Sequence, residues 1–454
     1  MISALARPVH ALFGAILFAA AACAAEQPKT ITLDEALKIA LERNPALKVS
    51  QDKVEAAQGK LEQAKSASRP QLGVTGTWTQ QGPVTTFTIP TPEGPQTITL
   101  GQARTRTASL NLTQPLDLAG QIRAAKRMAR LGLSSAVHDA ERTANTLALD
   151  VYSAFYGVLR ARDAVKVAQD AVEAAKEHLR LAEVSFRAGT APQFDVIRAS
   201  VQVENLRQNL VQAQNAERLA LANLANVLGL DPTAAVDVAA KEPTPDQDAR
   251  SIPSYEDALR LAYEGRPEIK LAQESVRISE HAVQAAKAQS RPDVALVGGY
   301  AYTPDATGFV AVKESWRITA NVTIPLDTSG VVRAKVEEAL ANLKAAQDTL
   351  TQAQLGVSLD VRAALIDLQN ALERRRTAAA NVTQAQEALR LARVRFEAGV
   401  ATGVEVTDAE VALTQARTNQ VNADYDYLVA LAKLDKATGA LLNKVRALLG
   451  EDNK

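Results

Sequence analysis

Two acidic side chains near the C-terminal end of the chain have a spacing that could bind cations. Glu405 and Asp408 are three residues apart, so on a helix they would share one face. Asp195 occupies the position equivalent to Glu405 in an internal repeat of the sequence. Carboxylates gathered in this way concentrate negative potential and attract cations. Acids at the start of a helix are also favoured by the helix dipole alone, so the residues leave both interpretations open.

No combination of residues in the sequence is typical of catalysis. The chain has no Gly-x-Gly-x-x-Gly, P-loop, His-Glu-x-x-His or Gly-x-Ser-x-Gly motif. Apart from His10, its histidines lie on predicted helices far apart in sequence, namely His138, His178 and His281. Such scattered histidines are typical of a protein surface rather than of a metal centre. The sequence therefore predicts no enzyme activity, no metal site and no cofactor.

Residues 1–25 have the features of a secretory signal peptide. Arg7 precedes an apolar stretch, which is followed by small residues suited to a signal peptidase. Cys23 is the only cysteine and lies inside this segment, so the mature chain can form no internal disulfide bond. Two alternatives remain for Cys23, lipidation after cleavage or removal at a nearby Ala-x-Ala site. Ala20 stands where a lipoprotein signal usually has a larger aliphatic residue, which favours the second.

The composition favours long helices and argues against nucleic acid as a partner. Lys plus Arg and Asp plus Glu each number 51, so the formal net charge is zero. Aromatic residues make up only 4% of a chain that is 47% hydrophobic, so its apolar content is mainly Ala, Leu and Val. Such a composition is typical of closely packed helices. After the signal, no apolar run approaches the roughly 18 residues of a membrane-spanning helix, so membrane insertion would have to use strands.

A long internal repeat organises the chain. Asp34 to Pro70 matches Glu256 to Pro292 at a spacing of 222 residues. From Asn111, which matches Asn321, the spacing is 210, so twelve residues are inserted between Pro70 and Asn111. Periods of this kind indicate that one structural unit occurs twice.

Each half has the same predicted order of elements: a helix, a strand pair, a long helix and a return helix. The first repeat spans 26–230, with strands in 70–116, a long helix at 120–187 and a return helix at 193–228. The second spans 255–440, with strands in 292–326, a long helix at 330–397 and a return helix at 404–438. A connector at 231–254 joins the repeats, and 441–454 is expected to be a C-terminal tail. Each long helix would measure roughly 100 Å.

The four predicted strands alternate polar and apolar side chains. Leu72, Val74 and Trp78 fall on one face of the first strand, and threonines fall on the other. Strands of roughly ten residues with this alternation are typical of transmembrane β-barrels, although a soluble sheet with one wet face has the same pattern. Four strands cannot close a barrel. Two chains would fill the interior with side chains, whereas three would supply twelve strands and an aqueous lumen, so a homotrimer is expected.

These features together resemble the outer membrane efflux protein family, over essentially the whole mature chain. The resemblance rests on the repeat and on two copies of one motif, "LRLAEVSFRAGTAPQFDV" from Leu179 and "LRLARVRFEAGVATGVEV" from Leu389. It implies a mainly α fold with a membrane β-barrel: long coiled-coil hairpins and four strands per chain, assembled as a trimer with a 12-stranded barrel and an α-helical periplasmic tunnel. It also implies an outer membrane channel of a tripartite efflux or type I secretion system, opened by a periplasmic adaptor and an inner-membrane transporter.

The resemblance assigns the two motifs to the periplasmic tips of the hairpins, where an adaptor docks. The expected docking residues are Phe186, Gly189, Thr190, Ala191, Phe396, Gly399, Val400 and Ala401. It assigns Asp195, Glu405 and Asp408 to acidic rings at the tunnel constriction. Ala401 and Phe396 replace a basic residue and a tyrosine that the family uses to close the tip, so the closing network is expected to differ. The alternative function is a soluble periplasmic coiled-coil adaptor or scaffold, and the sequence leaves the exported substrate open.

Overall fold

A computed structural model describes residues 29–99, 102–239, 252–306, 312–326 and 328–449. The predicted signal peptide, including Cys23, and half of the connector (240–251) lie outside the described residues. Within them the chain forms helices α1 to α9 and strands β1 to β8.

Two very long helical hairpins form the body of the molecule. In the first, α3 (Gln121–Arg187) is followed by α4 (Gln193–Val227), and in the second, α7 (Val331–Glu397) is followed by α8 (Gly403–Thr438). The two long helices have 67 residues each, which corresponds to about 100 Å. α3 packs against both α4 and α8, and α7 packs against α8, so the helices form a layer in the order α4, α3, α8, α7. None of the helices in the described residues combines the length and apolar character needed to cross a bilayer.

The segment before each strand pair consists of two helices separated by a kink. α1 (Leu33–Arg43) and α2 (Pro45–Ser66) belong to the first repeat, and α5 (Tyr255–Gly265) and α6 (Pro267–Ala288) belong to the second. Each second helix begins with a proline, whose missing N–H is not needed in the first turn. α2 packs on α3, and α6 packs on both α3 and α7. They extend the helical layer beside the N-terminal parts of α3 and α7.

Four strands form one antiparallel sheet with members from both repeats. β2 (Gln71–Gln80) and β5 (Arg104–Pro115) come from the first repeat, and β7 (Asp293–Tyr302) and β8 (Glu314–Thr323) come from the second. The order is β2-β5-β7-β8, so β2 and β8 are the two edges. The register puts Val74 opposite Leu110, Leu110 opposite Tyr300, and Tyr300 opposite Trp316. The apolar side chains of all four strands thus share one face, as their alternation predicted.

The insertion in the first repeat forms a separate hairpin. β3 (Thr86–Thr91) and β4 (Gly94–Thr99) pair with one another and with no other strand of the described chain. The second repeat has no counterpart of this hairpin in its described residues, because the twelve additional residues occur only between Pro70 and Asn111.

Small elements from three distant parts of the chain pack together beside the hairpins. β1 (Lys29–Ile31) and β6 (Val236–Val238) form a parallel pair, and α9 (Ala440–Leu449) follows α8. The expected tail at 441–454 is therefore wrong for residues up to 449, because Leu441, Leu442 and Val445 are buried. They anchor a helix that contacts α1, α3 and α8. The connector likewise contributes β6 rather than loop alone.

The return helix of each repeat ends where it crosses the kink of that repeat. Gly229 has φ +72°, and a Cβ there would lie 2.9 Å from backbone atoms of Arg43 and Asn44. Gly439 has φ +81°, and a Cβ there would lie 3.1 Å from the backbone of Gly265. Both positions require glycine because of the backbone conformation and the close approach together.

Candidate functional site at the hairpin tips

The two predicted tips have the same backbone geometry. Gly189 has φ +75° and Gly399 has φ +74°. In each tip the glycine N–H donates to a phenylalanine carbonyl, and the next N–H donates to the carbonyl one residue earlier, over 2.9–3.0 Å. These two bonds are the Schellman arrangement, in which glycine accepts the left-handed conformation without steric cost. The repeated motif therefore ends one helix, reverses the chain and starts the next.

The predicted docking residues form a surface at the end of each hairpin. Phe186, Gly189 and Thr190 are exposed on the first tip, and Ala191 is half-buried beside them. On the second tip Gly399 is exposed, and Val400 has 67% of its surface accessible, whereas Phe396 and Ala401 are half-buried. Each tip thus presents apolar side chains to solvent around a rigid turn.

Phe396 is half-buried because it contacts the other hairpin. Its ring centroid lies 5.9 Å from that of His178 on α3. Gly403, the first residue of α8, lies beside the imidazole of His178 and the ring of Phe396. The sequence marked His178 only as a scattered surface histidine, and nothing local to it indicates this contact between hairpins.

Two ion pairs join the helices of the second hairpin near its tip. Arg395 Nη1 lies 3.1 Å from Glu405 Oε2, and Arg393 Nη2 lies 2.8 Å from Glu410 Oε1. The sequence signal for these pairs is that basic residues precede the turn and acidic residues follow it. Arg393, Arg395 and Glu410 were not predicted as functional residues.

Glu405 also caps the helix that it begins. Thr402 is the N-cap of α8, its side chain accepts from the backbone at Glu405, and the carboxylate of Glu405 accepts from the N–H of Thr402. This reciprocal arrangement is a capping box. The carboxylate of Glu405 therefore has local structural partners, as the helix-start interpretation expects.

Asp408 differs from Glu405 in its surroundings. Its side chain is exposed, and it makes no hydrogen bond or ion pair within the described residues. Asp408 and Asp426 are 18 residues apart, or about five helical turns, so they lie on the same face of α8. Asp195 lies in the first turn of α4, where the helix dipole stabilises its negative charge. The structure therefore brings the three predicted acids to the starts of the two return helices.

The architecture defines a class of protein built from long helical hairpins that continue into an amphipathic sheet. The outer membrane efflux protein model matches residues 36–230 and 258–440 of this chain. The chain belongs to the outer membrane efflux protein family.

Individual relatives agree with this assignment over most of their length. Protein CyaE of Bordetella pertussis is 26% identical over 402 residues, covering 87% of this chain and 81% of that protein. The outer membrane protein TolC of Escherichia coli K12 is 23% identical over 407 residues, covering 88% of this chain and 80% of TolC. The crystal structure of VceC from Vibrio cholerae matches with a TM-score of 0.75 and 22% identity, covering 90% of this chain and 96% of VceC.

Membership of this family establishes the general role and location of the protein. It is an outer membrane channel protein of the efflux and secretion class, and its long helices belong to the periplasmic side. The predicted fold class and localisation are confirmed, and the alternative of a soluble adaptor or scaffold is not supported.

Proposed function

We propose that three copies of this chain form a passive conduit from the periplasm to the cell exterior. A periplasmic adaptor docks on its tips, and an inner-membrane transporter supplies the energy. This proposal rests on the free edges of the molecule. The sheet and the helical layer each have two edges, and they lie on the same two sides of the molecule. One side belongs to the first repeat and the other to the second, so one copy can join the next head to tail and close a ring.

The sheet edges have the polarity that such a ring needs. β2 and β8 are the outer strands, and each pair of neighbours between them is antiparallel. They therefore run in opposite directions, so β8 of one copy can pair with β2 of the next in the same antiparallel pattern. Open edges are not tolerated in lipid, and three copies supply the twelve strands that leave an aqueous lumen.

The helical edges carry apolar side chains that a neighbour would cover. On α4, Ile197, Val201 and Leu219 are more than half exposed and lie opposite the face that packs on α3. On α7, Leu355 and Leu359 are 66% and 69% exposed and lie away from α8. Exposed apolar stripes of this kind are typical of interaction surfaces. Packing the first-repeat edge of one copy against the second-repeat edge of the next would cover these side chains, with Leu355 and Leu359 lying near the end of α4 and the adjoining kink.

Adaptor docking at the tips is supported by the solvent-exposed apolar residues around Gly189 and Gly399. Three copies would present six such tips, and Phe186 and Val400 would be the main apolar contacts. The chain itself carries no residue that the proposal requires to do chemistry.

The acidic constriction is proposed to depend mainly on Asp408. Glu405 is already engaged by Arg395 and by the N-terminus of α8, whereas Asp408 is exposed. Three copies of Asp408 in a narrow aqueous neck would favour cations and bind multivalent cations. Asp195 and Glu405 would add to the same potential from neighbouring positions.

Single-channel conductance in planar bilayers tests this function. We expect small, cation-selective openings that trivalent cations block from the tip side, and we expect Asp408→Asn to weaken the block more than Glu405→Gln does. The control is Glu410→Gln, which removes a carboxylate paired with Arg393 near the same tip. Absence of conductance from a folded trimer would contradict the conduit. If trivalent cations block the wild type and all three variants equally, the conduit stands but the acidic constriction is contradicted.

A further inference from the structure

Five charged side chains from three helices meet midway along the hairpins. They are Arg160 on α3, Asp367 and Arg374 on α7, and Asp426 and Lys433 on α8; we call them the inter-hairpin charge cluster. They line a cavity of about 350 Å³ that also contains the side chains of Ser153 and Tyr156. This cluster is far from the tips and takes no part in the proposed docking or constriction.

The cluster lies on one face of the helical layer, and the small elements lie on the other. Val151, Phe155 and Val158 of α3 are buried in the core that contains Ile31 of β1 and Val238 of β6. Successive residues of a helix are 100° apart, so Arg160 points away from that core. On α8, Asp435 pairs with Lys444 of α9, whereas Asp426 and Lys433 lie on the opposite face.

This arrangement decides which face of the layer would line a tunnel. In the proposed ring, β1, β6 and α9 must lie outside, because their bulk on the inner side would fill the lumen. The inter-hairpin charge cluster then faces the lumen. Its contact with passing solutes therefore rests on the proposed function, although all five side chains belong to one chain.

The cluster has an excess of positive charge and only loose internal pairing. Arg160 and Arg374 share Asp426, at 3.7 Å and 3.4 Å, and Lys433 lies 3.7 Å from Asp367. None of these three cations makes a hydrogen bond within the described part of the chain. By contrast, Arg266 donates to Asp360 over 2.8 Å elsewhere in the same layer. Within this cavity three cations thus face two carboxylates, and their donors are available to another acceptor, while Asp150 and Glu373 line the adjoining cavities.

We propose that the inter-hairpin charge cluster is an anion-binding site in the tunnel wall, which takes a solute carrying two or more carboxylate or phosphate groups. Two guanidinium groups offer planar, paired donors that fit either oxyanion, and Lys433 adds a third positive charge. The cavity is large enough for a small multivalent anion. A ring of three copies would carry three such sites at one level of the lumen.

Calorimetric titration of the purified full-length protein in detergent tests the site. Citrate and inorganic pyrophosphate are the two probes, at low ionic strength because salt screens exposed charges. We expect both to bind the wild type, and we expect the affinity to fall at least tenfold in Arg160→Gln/Arg374→Gln/Lys433→Gln. The ratio of the two affinities distinguishes a carboxylate site from a phosphate site.

A second triple variant separates the site from general charge. Arg207→Gln/Arg376→Gln/Arg390→Gln removes three exposed cations that each pair with a glutamate three residues earlier on the same helix. Its affinity should stay within about twofold of the wild type, since none of these arginines lines the cavity and each already has a carboxylate partner. Equal binding by all three proteins, or no binding by the wild type, would overturn the proposal. The oligomeric state of the same samples, measured by native mass spectrometry, reports separately on the proposed trimer, and binding is measurable in either state.

Discussion

The two hairpin tips follow the same backbone path but are held by different side chains. At the second tip Arg395 pairs with Glu405 and Arg393 pairs with Glu410. The equivalent positions of the first tip are Ser185 with Asp195 and Glu183 with Ser200, which cannot form these pairs. The turn itself is fixed by glycine and backbone hydrogen bonds in both tips. The repeat therefore preserves backbone geometry at the tips, while its side-chain contacts have diverged.

The two kinks differ in the same way. Asn44 caps α2 and also donates to the carbonyl of Val227 over 2.8 Å. Its equivalent, Arg266, donates to Glu268 and Asp360, and its side chain is only 7% exposed. Both residues fix the kink, one through neutral hydrogen bonds and one through ion pairs. The same backbone is therefore stabilised by chemistry with different dependence on pH.

The crossing glycines should give the largest effects. Alanine at position 229 would meet the backbone of Arg43 and Asn44 at 2.9 Å and would have to hold a positive φ. Overpacking and the left-handed conformation together predict that Gly229→Ala lowers the free energy of unfolding by up to about 5 kcal/mol. Gly439→Ala, with a nearest approach of 3.1 Å, should cost less. Chemical denaturation of both variants in detergent measures the order, and a larger loss for Gly439→Ala would contradict it.

The kinks should respond next most strongly. Arg266→Ala leaves two carboxylates without their cation, and we expect a loss of about 2–3 kcal/mol, below the usual range for a buried pair because Asp360 is exposed. Asn44→Ala should cost about 1 kcal/mol through the lost cap and hydrogen bond. The same denaturation experiment compares them. An equal loss for both would show that the charge on Arg266 is not what stabilises the second kink.

The kinks should also differ in their response to pH. Burial opposes ionisation of Glu268, but the hydrogen bond and charge of Arg266 outweigh it and hold the pKa of Glu268 below its ordinary value. The stability from this pair is therefore complete above the ordinary pKa of about 4.3 and is lost as the pH falls through the lowered value. The difference in free energy of unfolding between the wild type and Arg266→Ala should narrow as the pH falls. The corresponding difference for Asn44→Ala should not change. Parallel curves for the two variants would contradict this assignment.

The two tip glycines should show equal losses of stability, smaller than those of Gly229→Ala and Arg266→Ala. Nothing lies within 4 Å of a Cβ built on Gly189 or Gly399, so only the positive φ opposes substitution. Gly189→Ala and Gly399→Ala should each cost about 1–2 kcal/mol. Unequal losses in denaturation would mean that the ion pairs of the second tip contribute to its turn as well as to its hairpin.

The sequence predicted most of the backbone but not the contacts between distant parts of the chain. The period of apolar residues and the position of glycines predict α3, α4, α7 and α8, whose observed ends lie within about one residue of the predicted bounds. β1 and β6 have three residues each and pair in parallel across 207 positions, so no local pattern indicates them. Leu441, Leu442 and Val445 have the spacing of one helix face. A tail was predicted there because the internal repeat ends at residue 440.

The same distinction applies to the candidate site. The repeated motif predicted both turns, because a helix that ends in glycine leaves a local signature. The contact of His178 with Phe396 depends on how one hairpin packs against the other, which the local sequence does not encode. The sequence indicated a helix start at Glu405, where the dipole favours an acid, but its capping role was not predicted, although Thr402 three residues earlier completes the capping-box pattern.

The smallest predicted effect concerns the mobility of the tips. Arg393→Ala/Arg395→Ala removes both ion pairs of the second hairpin, and amide exchange in residues 394–406 should quicken by roughly threefold, since exposed pairs contribute little each. Ser185→Arg offers the converse change, because it would place a cation where Asp195 can accept it, and exchange in residues 184–196 should slow. Arg376→Ala, which removes a pair within one helix far from either tip, is the control. If the first variant leaves exchange at the second tip unchanged, the ion pairs do not clamp that hairpin, and the difference between the tips is one of surface charge alone.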